Sequence, residues 1–386
     1  MARVRVYRNY ADAWGEWRRL GLPESALGRF DLSSRQFIFI DSIGKEEAEA
    51  LQEELKQKGL TVLPCRGERA LITINPLTLE NLLMSGASPR VMEMGEALRS
   101  RNDAEPPAFE WSGGSLDLSR PRVMGILNVT PDSFSDGGTY LDADAAVQRA
   151  NAMKDEGADI IDIGGESTRP GSAPVTQDEE WSRISDVVRR VSEEVGVPVS
   201  VDTRRPDIAR KALRAGAVMV NDISGLQDGM VDVVRDEGAA AIAMHMRGEP
   251  SNMQEYTRYV DVVGDVYAFL EERMRNAVAS GVPRERLAID PGLGFAKDVD
   301  GNLETMSRLE EFRSMGRPVV LGASRKTFLG KIAGGGPEDR LEASLAAAAV
   351  ACWQGVHLFR VHDVMETVKV LRSVSAMRAG ISPRST

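Results

Sequence analysis

From Phe109 onward, short apolar runs alternate with longer amphipathic segments, and no other feature of the chain restricts its fold as tightly. Val123–Leu127, Ile160–Ile163, Val197–Val201, Val218–Asn221, Ala240–Met244, Leu287–Asp290, Val319–Gly322 and Leu358–Val361 read as buried strands. Ala145–Glu156, Asp178–Val195, Ile208–Ala215, Val260–Ser280 and Leu341–Gln354 carry helical periodicity between them. A last helix is expected from Val364 to Met377, with Asp363 as N-cap and Glu366 at the capping-box position. Eight strand–helix units over about 270 residues match a closed barrel of parallel strands. An open doubly wound sheet would bring a G-x-G-x-x-G turn with its first strand, and the chain has none there. The fold class is therefore α/β, a (β/α)8 TIM barrel.

Phe109–Leu118 (FEWSGGSLDL) reads as a small hairpin around Gly113–Gly114, set as a plug across the barrel's N-terminal mouth. Before it, the polar segment NDAEPPA at 102–108 contains Pro106–Pro107 and reads as a linker. Residues 1–101 then form a separate small α+β domain, and 109–386 the barrel. In the small domain Val4–Tyr7, Gln36–Asp41, Thr61–Pro64 and Ala70–Ile74 are strand candidates. Lys45–Lys58 is a helix with Ala48, Leu51 and Leu55 on one face and Gly59 at its end, and a second helical stretch runs from Leu77 to Ser100. This domain holds no catalytic constellation, and a structural or oligomerisation role is its default reading.

A net charge of −10 argues against non-specific nucleic-acid binding, so any anion site must be local. Cys65 and Cys352 are too few and too far apart for a disulfide framework or a metal knuckle. The N-terminus lacks an apolar signal core and no stretch reaches the length of a membrane span, so a cytoplasmic protein with no membrane partner is expected.

In a barrel the site lies at the C-terminal strand ends, and here every one of them carries polar or ionisable groups. The first gives Asn128 and then the Gly- and Ser-rich loop VTPDSFSDGG, with Asp132, Phe134 and Asp136. The second gives Asp162 and GGESTRPGSAP, with Thr168, Arg169 and Pro170. Asp202 and Thr203, Asn221 and Asp222, and Met244 and His245 end the next three. Asp290 with PGLGFAK, then Ser324-Arg325-Lys326, then Arg360 and His362 end the last three. A single Asp or Asn at such a junction is as often a helix cap, and Asp363 is assigned to capping. His357, ahead of its strand, reads as structural. Together, Asp202, Asn221, Asp290 and Lys326 offer donors and acceptors for a flat, nitrogen-rich heterocycle, and Asn128, Arg169, Arg360 and His362 offer groups for an anion. One ligand with a polar aromatic head and a phosphate-type leaving group satisfies both sets.

MGILNVTPDSFSDGG, DIGGESTRPGS, SVDTRRPDIARKAL, VNDISGL, AMHMRG, IDPGLGFAK, LGASRK and FRVHDV occur in the order and spacing of dihydropteroate synthases, which the region Phe109–Ser375 closely resembles. The resemblance implies condensation of 6-hydroxymethyl-7,8-dihydropterin diphosphate with 4-aminobenzoate in folate synthesis. It implies that Asp202, Asn221, Asp290 and Lys326 grip the pterin, with Ile223 and Met244 lining its pocket. Phe134, Thr168, Arg169, Pro170, Phe295 and Ser324 would position 4-aminobenzoate. Asn128 would hold Mg2+ on the diphosphate, and Arg169, Arg360 and His362 would bind its oxygens. Asp136 would stabilise a cationic intermediate, with Lys326, Arg360 and His362 the other catalytic groups. A homodimer and sensitivity to sulfonamide analogues of 4-aminobenzoate also follow from the resemblance. Leu293 and Ala296 depart from the family's DPGFGFGK pattern and put that loop's shape in question. The alternatives are a methyltetrahydrofolate–corrinoid methyltransferase on a related barrel and a non-catalytic pterin-binding protein. The first has no use for a diphosphate mouth or the ESTRPG and SRK loops, and intact candidate groups at nearly every strand end argue against the second.

Overall fold

The computed structural model describes residues 3–7, 36–41, 43–57, 60, 62–65, 69–74, 88–102, 108–130, 143–167, 175–227, 229–336 and 339–379. The chain divides into two units, Met1–Ala104 with Glu310–Gly316, and Glu105–Leu309 with Arg317–Thr386.

In the first unit Arg3–Tyr7, Gln36–Asp41, Arg69–Ile74 and Val62–Cys65 form, in that spatial order, an antiparallel sheet. The helix Lys45–Gln57 turns Leu51 and Leu55 onto a core with Ile38, Ile40 and Ile72, to which the helix Pro89–Asn102 adds Val91, Met94 and Leu98. Pro89 occupies the first helical position, where its missing N–H costs no bond. The expected earlier start of that helix, at Leu77, lies outside the described residues.

The second unit is the barrel. Its eight parallel strands are Arg122–Asn128, Ile160–Gly164, Val199–Asp202, Met219–Asp222, Ala240–Met244, Leu287–Asp290, Val320–Leu321 and Leu358–Val361. Each pairs with its sequence neighbour, and the last pairs back onto the first (Phe359 beside Val123). The remaining gap, between the sixth and seventh strands, is bridged by Ile289 and Val319. The seventh strand is shorter than its apolar run, with Val319 joined to the sixth strand by that isolated bridge alone. The strands are almost wholly buried and nearly continuously apolar, as a parallel sheet covered on both faces requires. Helices start where the sequence supplies caps: Thr176 accepts from the Glu179 N–H at 3.2 Å, Asp261 from Gly264 at 3.0 Å and Asp298 from Gly301 at 2.8 Å.

The strands Phe109–Trp111 and Gly114–Leu116 form the expected hairpin. Phe109, Leu116 and Leu118 pack with Met124, Ile160, Met219, Ala240, Ala288, Val320 and Leu358, the residues near the beginnings of the barrel strands. That closes the N-terminal mouth and leaves the opposite end for chemistry. Phe109 is fully buried, so Phe109→Ala is expected to cost about 3–5 kcal/mol in chemical denaturation through the cavity it opens. A loss near zero would mean that the hairpin does not plug the barrel.

Candidate active site

Parallel register sets the polar strand ends side by side: Asp202 is level with Asn221, and Met244 with Asp290. Arg360, from the last strand, reaches across this end of the barrel. Its Nε donates to Asp162 Oδ2 at 2.6 Å and its Nη2 to Asp202 Oδ2 at 2.6 Å. Asn221 Nδ2 donates to the same Asp162 oxygen at 3.1 Å. The second Asp162 oxygen, Oδ1, is buried with no hydrogen-bond partner among the described residues, an acceptor open to a ligand donor.

Charges of both signs are gathered here. Asp162, Asp202 and Asp290 face Arg360, Lys326 and Lys297, three acids against three cations. Burial pushes the Asp202 carboxyl up to about 7; Arg360 opposes the shift and Asp162 adds to it. Burial also raises Asp290, although its Oδ1 accepts the Gly292 N–H at 2.7 Å. Arg360 is desolvated as well, yet the two carboxylates hold it firmly protonated.

The raised Asp202 carboxyl has a consequence for stability. A carboxyl near 3.9 in the unfolded chain gives up its proton before the folded one does. Its contribution is therefore complete below about pH 4 and is lost as pH rises through about 7. The stability advantage of the ligand-free protein over Asp202→Asn is expected to shrink across that window in urea titrations. An advantage that grew with pH would contradict the shift.

Other groups complete the mouth. Ile223, Met244 and Phe295 form one apolar cluster with Met253 and Ala296. Lys326 holds its Nζ 4.1 Å from the Phe295 ring centre, a cation–aromatic contact that fixes the amine beside Asp290. Ser324 Oγ lies 3.0 Å from His362 Nδ1 and accepts the His362 backbone N–H at 3.2 Å. The hydroxyl and Nδ1 share this hydrogen bond, which holds the ring in place. Burial, followed by the charge of Arg360, lowers His362 to about 3. The imidazole is therefore neutral in this site. Asn128 stands half-buried at the end of the first strand.

Phe134 and Asp136, with Thr168, Arg169 and Pro170, fall outside the described residues. Asp202, Asn221, Ile223, Met244, Asp290, Phe295, Ser324, Lys326, Arg360 and His362 all stand at or just beyond the strand ends. Asp363 does more than begin a helix: its carboxylate takes the Arg325 guanidinium, with Nε at 3.0 Å, because a cation outbids a backbone N–H for it. His357 is structural as expected, its Nδ1 accepting the Val319 N–H at 3.1 Å. Two residues were missed by the sequence reading. Asp162 was counted only as a strand end, although an acid inside the apolar run IIDIG was the available signal. Lys297 was noted only as the last residue of PGLGFAK, yet it is 2% exposed. Burial brings its ammonium down to about 7 against the pull of Asp290.

Residues 124–362 match the family described as pterin binding enzyme. The chain belongs to the pterin binding enzyme family. Among its relatives, the dihydropteroate synthase of Escherichia coli K12 is 45% identical over 265 residues, covering 68% of this chain and 94% of that one. A probable bifunctional folylpolyglutamate synthase/dihydropteroate synthase of Halobacterium salinarum is 38% identical over 386 residues, 98% of this chain and 46% of its own. That second alignment runs through the N-terminal unit as well as the barrel. The solved Xanthomonas albilineans dihydropteroate synthase with 4-aminobenzoic acid superposes with a TM-score of 0.67 at 43% identity, over 72% of this chain and all of that one. The same enzyme in complex with 7,8-dihydropteroate gives a TM-score of 0.65 at 41% identity over the same share.

Proposed function

We infer that this chain is a dihydropteroate synthase, joining 6-hydroxymethyl-7,8-dihydropterin diphosphate to 4-aminobenzoate with release of diphosphate. The observation that carries the reading is the arrangement of carboxylate and amide groups, Asp162, Asp202, Asn221 and Asp290, at neighbouring strand ends of a pterin-binding barrel. Such acceptors suit the amine and ring N–H groups of a pterin, and the orphaned Asp162 oxygen gives one of them a partner. The corrinoid methyltransferase reading is not favoured.

The mechanism follows from charge. The carbon–oxygen bond at the pterin methylene breaks, its electron pair leaves with diphosphate, and a cation remains, delocalised over the ring. The carboxyl oxygens of Asp162, Asp202 and Asp290 at these strand ends would interact better with that cation than with the neutral substrate. The neutral amine of 4-aminobenzoate then attacks the methylene and loses a proton to water. Arg360, Arg169 and His362 would face the diphosphate, and Phe134, Thr168, Arg169, Pro170, Phe295 and Ser324 the 4-aminobenzoate, with Asp136 near the cation.

Among the described residues no group of three His, Cys, Asp or Glu is placed to hold a metal. Mg2+ keeps its waters and takes substrate phosphate oxygens with one or two protein ligands, and Asn128, half-buried at the end of the first strand, would be the protein's ligand. Bound there, the ion would neutralise charge on the leaving group. Among the described residues no helix is long and apolar enough to cross a membrane. A cytoplasmic homodimer completes the proposal.

The test is turnover of both substrates by the full chain, with formation of 7,8-dihydropteroate expected. Oxygen-18 placed in the ester bond between the pterin methylene and the α-phosphorus should scramble into the α-phosphate's non-bridging positions without 4-aminobenzoate. Turnover without any scrambling would overturn the dissociative step, and no turnover would overturn the function.

A further inference from the structure

Lys297 and His245 are absorbed by no step above, yet both are almost completely buried. Lys297 Nζ donates to the Gly292 carbonyl at 2.9 Å and to the Phe295 carbonyl at 3.2 Å, and lies 3.1 Å from His245 Nδ1. Three acceptors match the three N–H bonds of an ammonium. The imidazole must then be neutral with Nδ1 bare, and burial with the charge of Lys297 does hold His245 well below its ordinary titration range.

The backbone these bonds gather is unusual. Gly292, Gly294 and Ala296 all have positive φ, 68°, 80° and 48°. A Cβ at Gly292 would come within 2.0 Å of the His245 carbonyl oxygen, so the loop crosses the fifth strand end at backbone contact. Asn302 adds a second tie, accepting the Gly294 N–H at 2.6 Å and donating to the Lys297 carbonyl at 3.1 Å. Alanine in the left-handed region persists only where its surroundings overdetermine it, and a buried ammonium drawing carbonyls inward supplies that force.

We propose that Lys297 and His245 are a positioning pair for the pterin pocket, an ammonium and imidazole that lock the 291–297 loop onto the end of the fifth strand. The loop begins at Asp290, whose Oδ1 is held by Gly292, and carries Phe295, which seats Lys326. The strand end carries Met244. One buried cation thus sets the spacing of an acid, an aromatic ring and a thioether that share one ligand. It touches no reacting atom. The pair lies on the pterin side of the mouth, whereas Ser324, Arg360 and His362 are fixed by other contacts.

This rests on the reading of the mouth as a pterin diphosphate site, and the experiment separates the two. Full-length wild type, Lys297→Met, His245→Leu and His245→Asn are compared for KM toward 6-hydroxymethyl-7,8-dihydropterin diphosphate and for inhibition by inorganic diphosphate. Leaving buried acceptors unpaired should raise the pterin KM about tenfold or more in Lys297→Met and His245→Leu. Diphosphate inhibition should stay within about twofold, and His245→Asn, which keeps an acceptor toward Lys297, should recover part of the loss. An unchanged pterin KM, an equal loss of diphosphate binding, or no recovery in His245→Asn would overturn the pair's role with the function intact. A wild type without turnover would overturn both.

Discussion

Arg360→Met is expected to abolish turnover and to lower folding stability by about 3–5 kcal/mol, the cost of stripping one partner from a buried ion cluster. The guanidinium bridges Asp162, which is fully buried, and Asp202, which is nearly so. Methionine fills similar volume, so packing loss is small and the penalty is electrostatic. Without the cation both carboxylates face low dielectric, and each must take up a proton or expose itself. Adding Asp162→Asn to Arg360→Met should therefore restore a substantial part of the stability without restoring activity. Urea titration of the four forms in a double-mutant cycle measures this directly. Additive losses would mean that the pair is not coupled and that the geometry at 2.6 Å carries little energy.

Lys326→Ala is expected to lower kcat/KM by about 10²–10³-fold, the usual effect of deleting one preorganised donor at the reacting group. Its amine sits over Phe295, and its loss removes the cation that acts most strongly on Asp290. As residue 326 begins its helix without a side-chain capping bond, the fold should tolerate alanine there. Steady-state kinetics beside a thermal melt separate the two effects. Loss of activity together with collapse of the melt would assign Lys326 to structure.

Strand positions were readable because a parallel barrel strand is an apolar run with a polar stop, and Ala240–Met244, Leu287–Asp290 and Leu358–Val361 begin and end where that pattern does. The seventh strand was not, since Val319 and Gly322 are as apolar as their neighbours and only pairing distinguishes them. Asp202, Asn221, Asp290 and Lys326 were recognisable as polar groups at strand ends. Their partners were not: sequence lends Arg360 to an anion, while the fold gives two of its donors to Asp162 and Asp202. The neutral state of His362 was equally hidden, because it arises from burial and from Arg360 two residues away. Lys297 shows the same limit, a lysine in a glycine-rich loop whose depth depends on the strand it crosses.

The most direct measurement is a crystal structure of the full chain with 7,8-dihydropteroate bound. The account predicts the pterin ring ringed by Asp202, Asn221, Asp290 and Lys326, with one ring donor on the open oxygen of Asp162. Density for the ring in any other cavity, or those side chains pointing into separate ones, would contradict it.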